Sequence, residues 1–148
     1  MIGLAVTAAL MMVGAGAQGA TPAVGAAAAT KPVTIEYYYR IKWGQHAAFR
    51  ALYDRNHSPV LKEMQRLGWF RAIRMDEPLT HMAGGARWDF RVTLVYRDAD
   101  AAVGDGYGKA AEAVMTRLYP DVAKHIREEA ERMGMLEEHW DVVVMGGE

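Results

Sequence analysis

An α+β fold is what this sequence predicts, on three observations. Val33 to Lys42 alternates β-branched and aromatic residues with polar ones. Arg87 to Arg97 repeats that alternation more cleanly. Two long stretches, Gln45 to Leu67 and Lys109 to Met133, read as helix. The chain has 148 residues, enough for one domain.

The first strand reads VTIEYYYRIK. Ile35, Tyr37, Tyr39 and Ile41 share one face, and Thr34, Glu36, Tyr38 and Arg40 share the other. Gly44 ends it. Gln45 to Leu67 then reads as a helix closed by Gly68. Its apolar stripe is Phe49, Leu52, Tyr53, Val60, Met64 and Leu67. Pro59 interrupts the stripe. Its ring nitrogen cannot donate to the Arg55 carbonyl, so a kink or break is expected near His57-Ser58, with Ser58-Pro59 able to start a second helix.

Trp69 to Met75 is the second strand candidate. Asp76 to Ala86 holds Pro78 and Gly84-Gly85 and reads as a loop. In the third strand, Arg87 to Arg97, Trp88, Phe90, Val92, Leu94 and Tyr96 alternate with the remaining residues. Asp98 to Gly108 reads as a short helix and a flexible loop. Lys109 to Met133 reads as helix interrupted at Pro120, and Trp140 to Met145 as a last strand.

The order is β-α-β-β-α-β, the ferredoxin-like split βαβ arrangement: a four-stranded antiparallel sheet with both helices on one face. The uncovered face would show Tyr38, Thr93 and Val95 among Glu36, Arg40, Asp89 and Arg91. A mixed apolar and charged sheet face of this kind predicts a homodimer that stacks two sheets.

Residues 1–30 contain no Lys, Arg, Asp or Glu. The apolar run from Ile2 to Val13 and the small residues Ala15-Gly16-Ala17 predict a signal peptide followed by an Ala/Gly-rich tail, hence a periplasmic or secreted protein; without cleavage the segment is a cytoplasmic tail. The folded domain is expected over 31–148. No other apolar stretch is long enough for a membrane span.

Composition excludes several chemistries. A net charge of −1 with interspersed ions is no footprint for nucleic acid. Without cysteine there is no thiolate nucleophile and no Cys-type metal site. Ser58 is the only serine and lies in no G-x-S-x-G elbow. Gly104-Asp-Gly106-Tyr-Gly108 lacks phosphate-loop spacing. His46 and His57 are three helical turns apart, about 16 Å, too far to share a metal. His125 and Glu128 stand i, i+3 in a charged helical stretch, so no metal is expected there either.

Tyr53 and His57, at i and i+4, share a helix face beside the apolar stripe. An imidazole and a phenol facing an apolar cleft can transfer protons near neutral pH; equally, His57 can be a structural histidine bonded at the kink. Tyr37 and Tyr39 sit on the expected covered sheet face, and Trp88 on the same kind of face. All three suit either pocket lining or core packing. His81 lies in the Pro78–Gly85 loop, where it could flank a pocket mouth.

The run Phe49, Leu52-Tyr53, His57, Pro59, Val60 resembles the signature of EthD-like proteins. That signature is a Phe before an aromatic pair, then a His, one residue, a Pro and an aliphatic residue. Leu52-Tyr53 stands where the family has two aromatics. The resemblance implies a dimeric α+β barrel with a pocket between sheet and helices. Its wider superfamily includes polyketide cyclases, lactone isomerases, cofactor-free monooxygenases and haem-binding branches. The expectation is therefore a cofactor-independent enzyme on a small aromatic or polyketide-like substrate, acting by cyclisation, isomerisation, dehydration or lyase chemistry. His57 would be the general acid or base, with Tyr53 and Tyr37 orienting it or stabilising an enolate. Tyr39, Trp88, Phe49 and His81 would contact substrate. The other readings are a carrier of a hydrophobic ligand, a haem-binding protein, or a cofactor-free monooxygenase.

Overall fold

A computed structural model describes residues 30–80 and 82–144. The elements run β1 (Val33–Ile41), α1 (His46–Leu52), a π-helical turn (Tyr53–His57), α2 (Ser58–Arg66), β2 (Phe70–Asp76), a 3₁₀ turn (Gly84–Ala86), β3 (Phe90–Tyr96), α3 (Ala99–Val103), α4 (Asp105–Leu118), α5 (Val122–Gly134) and β4 (Leu136–Val144). The strand order is β2-β3-β1-β4, and every neighbouring pair is antiparallel.

The expected alternation holds in the two central strands. Ile35, Tyr39 and Ile41 of β1 and Phe90, Val92, Leu94 and Tyr96 of β3 are buried under the helices. From the helices, Phe49, Tyr53, Val60, Leu61 and Met64 meet them. Each large apolar side chain so covered contributes about 1.5–3 kcal/mol of transfer free energy. Gly68, at φ +82, takes the left-handed conformation that closes α2 and turns the chain into β2. α5 is capped by Asp121, whose carboxylate accepts from the Lys124 N–H at 2.9 Å.

Three boundaries differ from expectation. Asp105–Gly108 is the first turn of α4 rather than a loop. Gly106 permits this, because a Cβ there would stand 3.1 Å from the Trp69 ring; the bare backbone lets α4 pack close to it. β4 starts at Leu136, four residues before Trp140, because its pairing with β1 continues to Ile41 across an irregularity at Arg40/Ile41. β3 begins at Phe90 rather than Arg87. Arg87 is buried instead: it pairs with Asp89 at 2.9 Å and Glu137 at 3.2 Å and donates to the Ile41 carbonyl. A buried guanidinium requires such partners, and meeting them breaks the strand pattern.

Trp88 is displaced with it. The indole packs edge-on against Tyr38, ring centroids 5.9 Å apart, and lies 5.3 Å from the Arg91 guanidinium. It belongs to the uncovered face, not the pocket face. That face also stacks Tyr38 on Trp140 at 5.3 Å and links Arg91 to Glu36 and Asp76. Among the described residues no helix is long and apolar enough to cross a membrane. The expected signal peptide lies outside the described residues.

Candidate functional site

The kink expected near His57 is a π-helical turn that runs through Tyr53–His57. Its cause is Pro59. Without a proline N–H the Arg55 carbonyl has no α-helical donor, and the Ser58 N–H reaches back five residues to the Tyr53 carbonyl. The Tyr119 hydroxyl, from the end of α4, donates to the Arg55 carbonyl at 2.9 Å and fills the vacant place. Buried Asn56 donates to Glu128 at 2.9 Å, which ties the turn to α5.

The turn sets the Tyr53 and His57 rings 4.9 Å apart at 52°. The His57 Nδ1 stands 3.7 Å from a Glu129 carboxylate oxygen, a Coulombic pairing too long for a hydrogen bond. Arg132 grips the same carboxylate through Nε at 3.1 Å and Nη2 at 2.7 Å. Burial alone would raise the Glu129 carboxyl; the pull of His57 and Arg132 wins and lowers it to about 2. His57 is neither in bulk water nor sealed: its side chain is 36% exposed.

Beside it is a hollow of about 230 Å³. The sheet supplies Tyr37, Tyr39, Val92, Leu94, Tyr96 and His139; the helices supply Tyr53, His57, Leu61, Tyr107, Arg132 and Met133. A 150 Å³ apolar cavity takes a benzene ring, so one or two fused rings fit here. Tyr37 and Tyr96 share a hydroxyl–hydroxyl hydrogen bond of 2.8 Å. Burial pushes Tyr39 and Tyr107 up to about 12. It also raises Tyr37, and raises Tyr53 and Tyr96 further still, with the neighbouring phenols adding to it in those two. At neutral pH these phenols are donors, not bases.

Of the residues expected at the site, His57, Tyr53, Tyr37 and Tyr39 converge on this hollow. Phe49 does not reach it. It is fully buried behind, packed on Tyr39 and Tyr53, and holds them in place. Trp88 is on the opposite sheet face, and His81 lies outside the described residues. His46 pairs with Glu77 at 3.8 Å, and His125 stacks on Tyr119 at 4.2 Å.

Four polar residues of the pocket were not anticipated: Tyr96, Tyr107, Arg132 and His139. His139 stacks flat on Tyr39, centroids 4.3 Å apart, and its Nδ1 lies 2.8 Å from the Tyr38 carbonyl. A carbonyl only accepts, so Nδ1 carries the proton and Nε2 is left as an acceptor. Carrying the β4 alternation back from Trp140 would have placed His139 on this face.

A second hollow of about 430 Å³ opens on the other side of the turn, between α4 and α5; His57 borders both hollows, and Glu129 lines this one. Among the described residues no three His, Asp or Glu side chains gather as a metal site. At about 230 Å³, the hollow that holds the His57–Tyr53 pair lies just below the ~300 Å³ at which ordinary small-molecule pockets begin.

No family model matches the sequence, and neither does any curated protein. Solved structures do. The solution structure of a hypothetical Arabidopsis thaliana protein aligns with a TM-score of 0.52 at 10% identity, over 81% of this chain and 92% of that one. A dimeric ferredoxin-like protein from an uncultured marine organism aligns at 0.50 and 7% identity, over 79% and 91%. The fold is ferredoxin-like. The structural neighbours also include an ethyl tert-butyl ether (EthD) family protein from Bacillus halodurans, at TM-score 0.47 and 13% identity, over 78% of this chain and all of that one.

Proposed function

We propose that this chain is a cofactor-independent enzyme that moves a proton on a small aromatic substrate held in the 230 Å³ hollow. The observation that carries the reading is His57, paired from behind with Glu129, among the phenols that line the hollow. The Glu129 charge on the Nδ1 side favours a proton there and leaves Nε2 for substrate. His57 is then the general base, and acid on the return step. Tyr53, against its ring, and the Tyr37–Tyr96 pair supply neutral O–H groups for an oxygen that gains charge as the proton leaves. Cyclisation, isomerisation, dehydration and lyase reactions all use this step.

The EthD-like signature around His57 supports the same reading, as does the ferredoxin-like fold. We also propose a homodimer formed through the uncovered sheet face, and export directed by the N-terminal segment. The test is turnover of a panel of small aromatic and polyketide-like carbonyl compounds by wild type, His57→Ala and His57→Gln. Loss in both variants supports the assignment; retained turnover in both removes His57 from the mechanism.

A further inference from the structure

Most of the polar groups that line the hollow are donors. They are the hydroxyls of Tyr37, Tyr39, Tyr53, Tyr96 and Tyr107 and the Arg132 guanidinium, beside two imidazoles; among the described residues no carboxylate side chain lines it. Two of these donors are buried without a well-formed hydrogen bond: Arg132 Nη1, and the Tyr53 hydroxyl, whose polar neighbour is the Tyr39 hydroxyl. Tyr53 is 0% exposed and Arg132 4%. The Arg132 guanidinium carbon lies 5.3 Å from the centre of the Tyr53 ring.

Orphaned buried donors are uncommon and costly, because each has given up water without a replacement. Here both belong to residues that line one cavity. Arg132 cannot lose its charge, and Glu129 engages only Nε and Nη2, which leaves Nη1 over. Raised by burial, the Tyr53 phenol keeps its proton and can only donate to an anion. The missing partner is an acceptor, and a guanidinium favours a charged, planar one.

We propose that the ligand of this hollow is a small aromatic carboxylate, of one or two rings, whose oxygens accept from the Tyr53 hydroxyl and Arg132 Nη1. The rings lie against Leu61, Val92 and Leu94, which form the apolar part of the lining. This rests on the site assigned above, and it narrows the substrate class to anions.

The experiment is calorimetric titration of the full chain with 2-naphthoate and with 2-naphthalenemethanol, which has the same rings without the charge. The expected result is naphthoate binding at least about tenfold tighter. In Tyr53→Phe, naphthoate affinity falls about tenfold while alcohol affinity does not. The unliganded variant melts no lower than wild type, because an unpaired hydroxyl has been removed. Arg132→Lys, which keeps a charge but loses the planar fork, weakens naphthoate as well. Equal binding of the two probes, no binding of either, or unchanged naphthoate binding in Tyr53→Phe would overturn the proposal. His57→Gln separates this from the enzymatic reading. Loss of naphthoate selectivity with intact His57-dependent turnover overturns the ligand class alone. Selective naphthoate binding together with His57-independent turnover overturns the mechanism and supports the ligand class.

Discussion

The His57 Nδ1 lies 3.7 Å from the Glu129 carboxylate that Arg132 clamps at 2.7 and 3.1 Å. The three come from two elements, the π-helical turn and α5, so the imidazole is oriented by a carboxylate that is itself held. On the proposed mechanism, His57→Ala should cost about 10²–10⁴-fold in kcat/KM. Glu129→Gln keeps the shape but weakens the orientation, so kcat should fall with KM nearly unchanged. Steady-state kinetics on both variants check this. A KM effect alone would place Glu129 in binding rather than in positioning.

Glu129 also sets a pH dependence of stability. Its carboxyl is lowered from 4.5 to about 2, so its contribution is complete above pH 4.5 and is lost as pH falls toward 2. Glu63, lowered to about 2 by Arg66 and Arg117, is lost over the same range. Thermal melts from pH 7 to pH 2.5 should therefore be flat first and then decline. In Glu129→Gln the decline should be shallower, because the glutamine does not titrate. An equal slope in both proteins would deny the linkage.

Tyr119→Phe removes the hydroxyl that donates to the Arg55 carbonyl. A net cost of about 1 kcal/mol is expected for one hydrogen bond. Since the lost bond supports the turn that carries His57, a drop in turnover should accompany the drop in melting temperature. Restoring the α-helical donor tests the same point: Pro59→Ala supplies an N–H to the Arg55 carbonyl, so Tyr119→Phe should cost less in that background.

The proposed dimer makes a separable prediction. Trp140 is stacked on Tyr38 in the uncovered face, with the Arg40 guanidinium 5.7 Å from its ring. A glutamate at position 140 would put a charge into any stacked-sheet interface. Sedimentation velocity should show Trp140→Glu as a monomer with an unchanged far-UV circular dichroism spectrum. A wild type that already sediments as a monomer would dismiss the dimer.

The covered faces of β1 and β3, the stop at Gly68 and the disturbance at Pro59 were legible because each follows from local periodicity or one residue's stereochemistry. Tyr53 and His57 were legible as a pair for the same reason, since i, i+4 spacing survives the π-helical turn as ring proximity. Trp88 was misplaced because alternation assumes an unbroken ladder. The buried ion pair of Arg87 with Asp89 ends that ladder at Phe90. Phe49 was on the right face but one layer too deep to touch a ligand.

By itself the sequence determined the order of strands and helices, and with it a ferredoxin-like sheet whose pocket side carries Tyr37 and Tyr39. Patterns of period 2 and 3.6 report which side of an element is apolar. Only the tertiary structure decided that His139 stacks on Tyr39, that Tyr96 bonds to Tyr37, and that Arg132 clamps the carboxylate beside His57. The first two depend on the registers Tyr39↔His139 and Tyr37↔Val92, which bring together residues 100 and 55 positions apart. Arg132 depends on how α5 docks against the π-helical turn. Neither register nor docking is written in the spacing of one segment, because both are settled by what the facing segment buries.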